Sequence, residues 1–256
     1  MNGVKGLILK EIYLRRKSFL SGLSIFVLMF ILAASFCLSF DYGNMKNNEA
    51  LDRDSATLIL SYAVAGVGIM LFSLNGETLT NDIKCKWDIF ERTLPLSPQK
   101  LAAVRVCLIL GSNLLGMAVS TALSAVIFTI SHHKFTLAVF ANISVIALLI
   151  FTLMTAINFL LLKFKNPQKA ALAFSGVVIA LYVLFMAWVW QRRAELEAFM
   201  DTIEESDTLD MMTIEKFIAP ALEWRDRLFP FSILFFAAVA VIGYFLFLTQ
   251  YKRREK

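Results

Sequence analysis

The chain alternates between long uncharged stretches and short polar ones. Residues 19–40, 56–76, 106–130, 135–162, 170–190 and 228–249 contain no Lys, Arg, Asp or Glu, and all such residues fall outside them. Each stretch reaches the ~20 residues that a helix rising about 1.5 Å per residue needs to cross a hydrocarbon core about 30 Å thick. One charge at mid-membrane costs at least about 2.5–3.5 kcal/mol on insertion scales, so the six charge-free stretches predict six transmembrane helices. Barrel strands are excluded, because they run about 10 residues and alternate in polarity. Only Ser131, His132, His133 and Lys134 separate the third and fourth spans, which predicts a tight turn at the membrane surface.

The polar segments carry patterns of their own. Within 82–94, Ile83, Trp87, Phe90 and Leu94 recur at helical spacing and fall within about 60° of one face. Lys84, Asp88 and Arg92 take the opposite side, with Lys86 and Glu91 on the rim. Pro95 ends the pattern. Ser97 and Pro98 then read as an N-cap and a first-turn proline that start the third span. Two readings fit the amphipathic segment. It either covers headgroups at the inner surface or docks a cytosolic partner, with Trp87 and Phe90 as anchors and Asp88, Glu91 and Arg92 setting the register. The spacing alone does not choose between them.

Residues 1–17 predict an interfacial helix by position more than by pattern, since Glu11 and Arg15 project among Val4, Leu7 and Ile8. In 191–227, Leu196, Phe199, Met200 and Ile203 form one helical face and Met211, Ile214, Phe217, Ile218, Ala221 and Trp224 another. Short external helices are therefore expected over 194–226, the second bent by Pro220.

Composition supports the membrane reading. Of the 256 residues, 58% are apolar and only 18% charged, and mean hydropathy is +0.68. A soluble domain of this size cannot hide so much apolar surface, and a disordered chain carries far less of it. The net charge of +5 is an orientation signal. With both termini cytoplasmic, the inner segments hold 17 basic and 6 acidic residues, and the outer ones 8 and 14. That bias follows the positive-inside rule. No basic stripe with interleaved aromatics points to nucleic acid. The apolar run behind the basic start exceeds the 7–15-residue core of a cleavable signal, so the first helix is expected to be retained. Cys37 lies far from Cys85 and Cys107, which face a reducing compartment, so no disulfide is expected.

The catalytic inventory is almost empty. No zinc-protease or nucleophile-elbow motif occurs, no acidic pair lies in the membrane, and neither catalytic nor metal-binding residues are assigned. His132 and His133 diverge by about 100° on a helix and read as a polar surface turn. Spans free of Asp, Glu, Lys and Arg argue against a proton- or ion-coupled pump. Asn75, Asn113, Asn142 and Asn158 read as interhelical hydrogen-bond partners before cation ligands. Gly66-Val67-Gly68 lacks the Lys and strand context of a phosphate loop, and reads as a close helix-packing site.

The run Lys86-Trp87-Asp88-Ile89-Phe90-Glu91-Arg92-Thr93-Leu94-Pro95-Leu96-Ser97 resembles the signature of ABC-2-type exporter permeases common in Gram-positive bacteria. There a W-(D/E)-x-(Y/F)-x-x-T-L-P-(I/V/L)-S stretch joins the second and third helices. A basic residue often follows its Ser; here Pro98 does, and Lys100 and Arg105 carry the nearby charge. The opening Lys5-Gly6-Leu7-Ile8-Leu9-Lys10-Glu11 is similar to the family's start. The motif covers about 12 residues, while the six-helix spacing covers the whole chain.

The resemblance implies a bacterial plasma-membrane permease that pairs with a second copy or a paralogue and contacts cytosolic ABC ATPase subunits. ATP and magnesium would then sit on those subunits, with no cofactor in this chain. Ile83, Lys86, Trp87, Asp88, Phe90, Glu91 and Arg92 would belong to a coupling helix over 82–94, and residues 1–17 to an elbow helix. The external helices would form an outer gate. A path between protomers would draw on the second and fifth helices, with Ser61, Tyr62, Ser73, Ser175 and Tyr182 as lining candidates. The expectation is thus an all-α membrane protein with a single permease domain over 1–256. A charge-free path suits amphipathic or hydrophobic cargo such as a peptide, lipid or drug. The rival readings are a membrane scaffold or sensor that moves nothing, and a secondary transporter.

Overall fold

The computed structural model describes residues 2–43, 53–73, 83, 96–131, 134–191, 227 and 229–253. They form α1 (Asn2–Gly43), α2 (Arg53–Ser73), α3 (Pro98–Ile130), α4 (Leu137–Phe164), α5 (Pro167–Gln191) and α6 (Ser232–Arg253), with a 3-10 turn at Phe229–Phe231 leading into α6. Pro98–Ile130, Leu137–Phe164, Pro167–Leu184 and Phe229–Arg253 are each long and apolar enough to cross a membrane. The two earlier helices contribute shorter apolar segments, Leu23–Ser35 and Leu60–Ser73. The chain is an all-α membrane protein.

Local chemistry sets several boundaries. Ser97 has extended backbone angles and its hydroxyl accepts from the Lys100 amide at 3.4 Å, with Pro98 in the first turn, so α3 starts where the sequence predicted. Thr136 caps α4 in the same way, accepting from the Val139 amide at 3.5 Å. Between α4 and α5, Lys165 takes the left-handed conformation at φ 50°, and the Asn166 side chain accepts from the amides of Gln168 and Lys169 at 2.9 and 3.3 Å. This short break lets α5 fold back onto α4.

The start of the chain differs from expectation. No boundary separates residues 2–17 from the first span; α1 is one continuous helix of 42 residues. At 1.5 Å per residue it is about 63 Å long, roughly twice the thickness of a bilayer core. The reason lies in α3, itself 33 residues long. Leu7 is buried in the core cluster that contains Leu101, while Phe26 and Ala33 join a second cluster with Val64 and Ile127. The amino-terminal turns of α1 therefore follow α3 beyond the apolar zone instead of turning aside at residue 18.

Pairwise contacts define the helix directions. The Ser124 hydroxyl donates to the Ser61 carbonyl at 3.3 Å, and Asn113 donates to the Ser73 hydroxyl at 3.2 Å. Between these contacts, Gly68 lies against Ser120, and Gly116 against Ile69 and Phe72, so α2 and α3 are antiparallel. Tyr62 meets Asn142 and Gly66 faces Ile146, which makes α2 and α4 parallel. Phe140 meets Phe229, Phe151 stacks on Phe236, and Thr155 touches Gly243, so α4 and α6 are parallel as well. The starts of α1, α3 and α5 thus share one end of the bundle with the finishes of α2, α4 and α6. That end gathers Lys5, Lys10, Lys100, Arg105, Lys163, Lys169 and Lys252.

The core is the seam between α2, α3 and α4. Thr57, Ser61, Ala65, Ile69 and Ser73 succeed one another at four-residue intervals, and all are buried. Opposite them stand Asn113, Gly116, Ser120 and Ser124 of α3. Such small side chains let backbones approach, which is how helices associate where lipid removes the hydrophobic drive. A Cβ on Gly116 would lie 3.0 Å from the Ile69 Cα. By contrast α5 is peripheral: Ala170 is buried, but Val177, Ile179, Val183 and Leu184 are exposed.

Candidate functional site

The most polar feature of the described membrane helices is the α2–α3–α4 seam. Asn113, fully buried, links three helices by donating to the Ser73 hydroxyl on α2 and to the Ala147 carbonyl on α4 at 3.1 Å. Asn142 donates to the Tyr62 hydroxyl. Asn113 and Asn142 therefore act as interhelical bridges, as their residue type suggested, whereas Asn158 turns back onto its own helix at the Met154 carbonyl. The seam is not fully satisfied. The hydroxyls of Ser61 and Ser120 and the side-chain carbonyls of Asn113 and Asn158 are buried without a hydrogen-bond partner. Each such group costs about 1–3 kcal/mol relative to a paired one.

The five path candidates do not converge. Ser61, Tyr62 and Ser73 are held within the α2–α3–α4 packing, with Ser61 and Ser73 at 0% exposure. Ser175 and Tyr182 lie on α5, both exposed, Tyr182 at 61%. Seven residues apart, they share one face of that helix. In this conformation the α2 residues pack within the bundle and the α5 residues face outward.

Of the amphipathic segment only Ile83 is described, together with Leu96 just beyond it. Lys86, Trp87, Asp88, Phe90, Glu91 and Arg92 lie outside the described residues, as do the external helices over 194–226, His132 and His133. Ile83 is helical and half-buried, and Ile83 and Leu96 each pack against the main core cluster. Arg105, which carries charge near the motif, is buried in α3.

The small-residue face of α3 was not singled out from the sequence. Its signal is present, since Gly116, Ser120 and Ser124 recur every four residues as a small-xxx-small array. The Gly66–Gly68 site was anticipated, and the structure separates the two glycines. A Cβ on Gly68 would overlap the Ser120 hydroxyl and the Phe26 ring, whereas one on Gly66 would meet only Ile146, at 4.0 Å. Among the described residues no group of three His, Cys, Asp or Glu side chains is placed to hold a metal.

A family model described as ABC-2 family transporter protein matches residues 6–222. No curated protein and no solved structure matches the chain. The matched span takes in α1 to α5 and the whole amphipathic segment with its Trp87-to-Ser97 run. The chain belongs to the ABC-2 family of transporter proteins.

Proposed function

We propose that this chain is the membrane subunit of an ATP-driven exporter, taking its energy from separate cytosolic ATPase chains. The carrying observation is the family match over a chain whose one strongly amphipathic polar segment has Ile83 near its start and Leu96 just past its end packed against the core. In this reading 82–94 is the coupling helix. Trp87 and Phe90 seat in the ATPase, and Ile83, Lys86, Asp88, Glu91 and Arg92 orient it. The basic end lies in the cytoplasm, with both termini, in keeping with the excess of Lys and Arg there. Six crossings are supported by α2 running antiparallel to α3 and parallel to α4, and by α1 following α3.

Two such chains pair, and cargo moves between them. The outward hydroxyls of Ser175 and Tyr182 on α5 favour that placement, because a polar group facing hydrocarbon without a partner is costly. The face is otherwise apolar, which suits an amphipathic or hydrophobic cargo. Co-expression with a candidate ATPase tests the reading. The wild-type chain is expected to retain the ATPase through purification, and Trp87→Ala/Phe90→Ala to lose most of it. Normal assembly and transport in that double variant would remove the coupling role. A stable complex that hydrolyses ATP but moves nothing across reconstituted vesicles would instead indicate a scaffold or sensor.

A further inference from the structure

The four helices α3 to α6 contain no carboxylate: neither Asp nor Glu occurs from 92 to 194 or in Phe229–Arg253. Five cations nevertheless collect at one end of that acid-free unit. Lys163 and Lys165 close α4, Lys169 lies in the first turn of α5, and Lys252 and Arg253 finish α6. The contacts between the parallel helices α4 and α6 keep an offset of 85 to 89 residues from Phe140/Phe229 through Phe151/Phe236 to Thr155/Gly243. Carried on, that register sets Lys165 level with Lys252. Helix ends supply too little countercharge. The finishes of α4 and α6 offer about −0.5 each and the start of α5 adds about +0.5, so helix ends offset only about half a charge against Lys163, Lys169, Lys252 and Arg253.

The cations stand where hydrocarbon gives way to headgroups, since Lys163 and Lys252 follow closely on uncharged stretches ending at 162 and 249. Apolar surface continues directly from them. Lys163 Nζ lies 5.5 Å from the centre of the Phe164 ring, and Leu172 on the next turn of α5 is 78% exposed. We infer that this end of α4, α5 and α6 binds the phosphodiester headgroup of an anionic phospholipid, whose acyl chains lie along the exposed sides of α5 and α6. Contiguous charge and greasy surface favour a lipid over an acidic protein face, which would not need the apolar part. The inference stands apart from the transporter reading, because it requires only that the helices sit in a bilayer.

The test is a titration of the purified chain in neutral detergent with phosphatidylglycerol or phosphatidylcholine, read by native mass spectrometry. Wild type is expected to retain phosphatidylglycerol selectively. Lys163→Gln/Lys169→Gln/Lys252→Gln is expected to weaken that binding about 100-fold, at about fivefold per cation, the equivalent of ~1 kcal/mol each. The triple Lys→Arg variant is expected to keep it, and Lys134→Gln at the other end to change nothing, which separates lost charge from lost folding. Equal retention of both lipids by wild type, or unchanged retention by the Gln variant, would overturn the inference. So would full competition by glycerophosphoglycerol, which lacks acyl chains and would mark a free-anion site. Loss of a co-purified ATPase with lipid binding intact would assign the face to protein docking and overturn it equally.

Discussion

Adding one methyl group at Gly68 should damage the bundle, while the same change at Gly176 should help it. Both glycines sit inside helices, where Gly→Ala ordinarily stabilises by about 0.4–1 kcal/mol through the unfolded chain. At Gly176 nothing lies within 4 Å of the new carbon, so only that gain applies. At Gly68 the new carbon would overlap the Ser120 hydroxyl and stand 2.6 Å from two carbons of the Phe26 ring. Phe26 is fully buried and packs edge-on against Phe72 at 6.3 Å, so it has little room to retreat. Overpacking of this kind costs about 1–3 kcal/mol. The net loss for Gly68→Ala is therefore about 0–2.6 kcal/mol, and the two variants should differ by the full overpacking cost of about 1–3 kcal/mol. The assay is the midpoint of unfolding in a titration of the detergent-solubilised protein with SDS. Adding Ser120→Ala and Phe26→Leu to Gly68→Ala should recover part of the loss. If Gly68→Ala proved as stable as Gly176→Ala, α1, α2 and α3 would not meet at this point.

Other substitutions probe separate joints. A double-mutant cycle on Ser73→Ala and Asn113→Ala should give a coupling of about 0.6 kcal/mol, the usual size of a hydrogen bond between membrane helices, measured by the same titration. Ser97→Ala removes the cap of α3 and should cost about 0.5–2 kcal/mol, visible as faster amide hydrogen exchange in 99–101. Lys165→Gly relieves a non-glycine residue at φ 50° and should raise thermal stability by up to about 1 kcal/mol. Tyr182→Leu, on the outer face of α5, should leave monomer stability within about 0.5 kcal/mol, and any loss of transport should then come from the path.

The parts of the fold that were legible in the sequence are those set by local chemistry. Ser97 and Pro98 announced the start of α3 because a cap is completed within three residues. The last four uncharged stretches became helices long and apolar enough to cross a membrane, because exclusion of charge from hydrocarbon acts residue by residue. The continuity of α1 was not legible. Arg15, Arg16 and Lys17 mark where hydrocarbon should end, but whether the helix bends there depends on Leu7 finding a place in the core of the bundle. The same holds for Ser61 and Ser73. As polar residues in a span they suggested a path, yet with Ala65 and Ile69 they form a four-residue stripe that α3 covers. Only the partner helix decides between lining and packing. Ser175 and Tyr182 carry no such stripe on their side of α5, and they remain outward.

The central claim, a permease powered by a separate ATPase, is tested most directly by purifying the chain with its co-expressed cytosolic ATPase and measuring ATP turnover in proteoliposomes. The ATPase is expected to elute with the chain, turnover to accompany cargo movement, and Trp87→Ala/Phe90→Ala to lose most of the bound ATPase and of the movement. A chain that elutes alone and moves cargo down a gradient without ATP would contradict it.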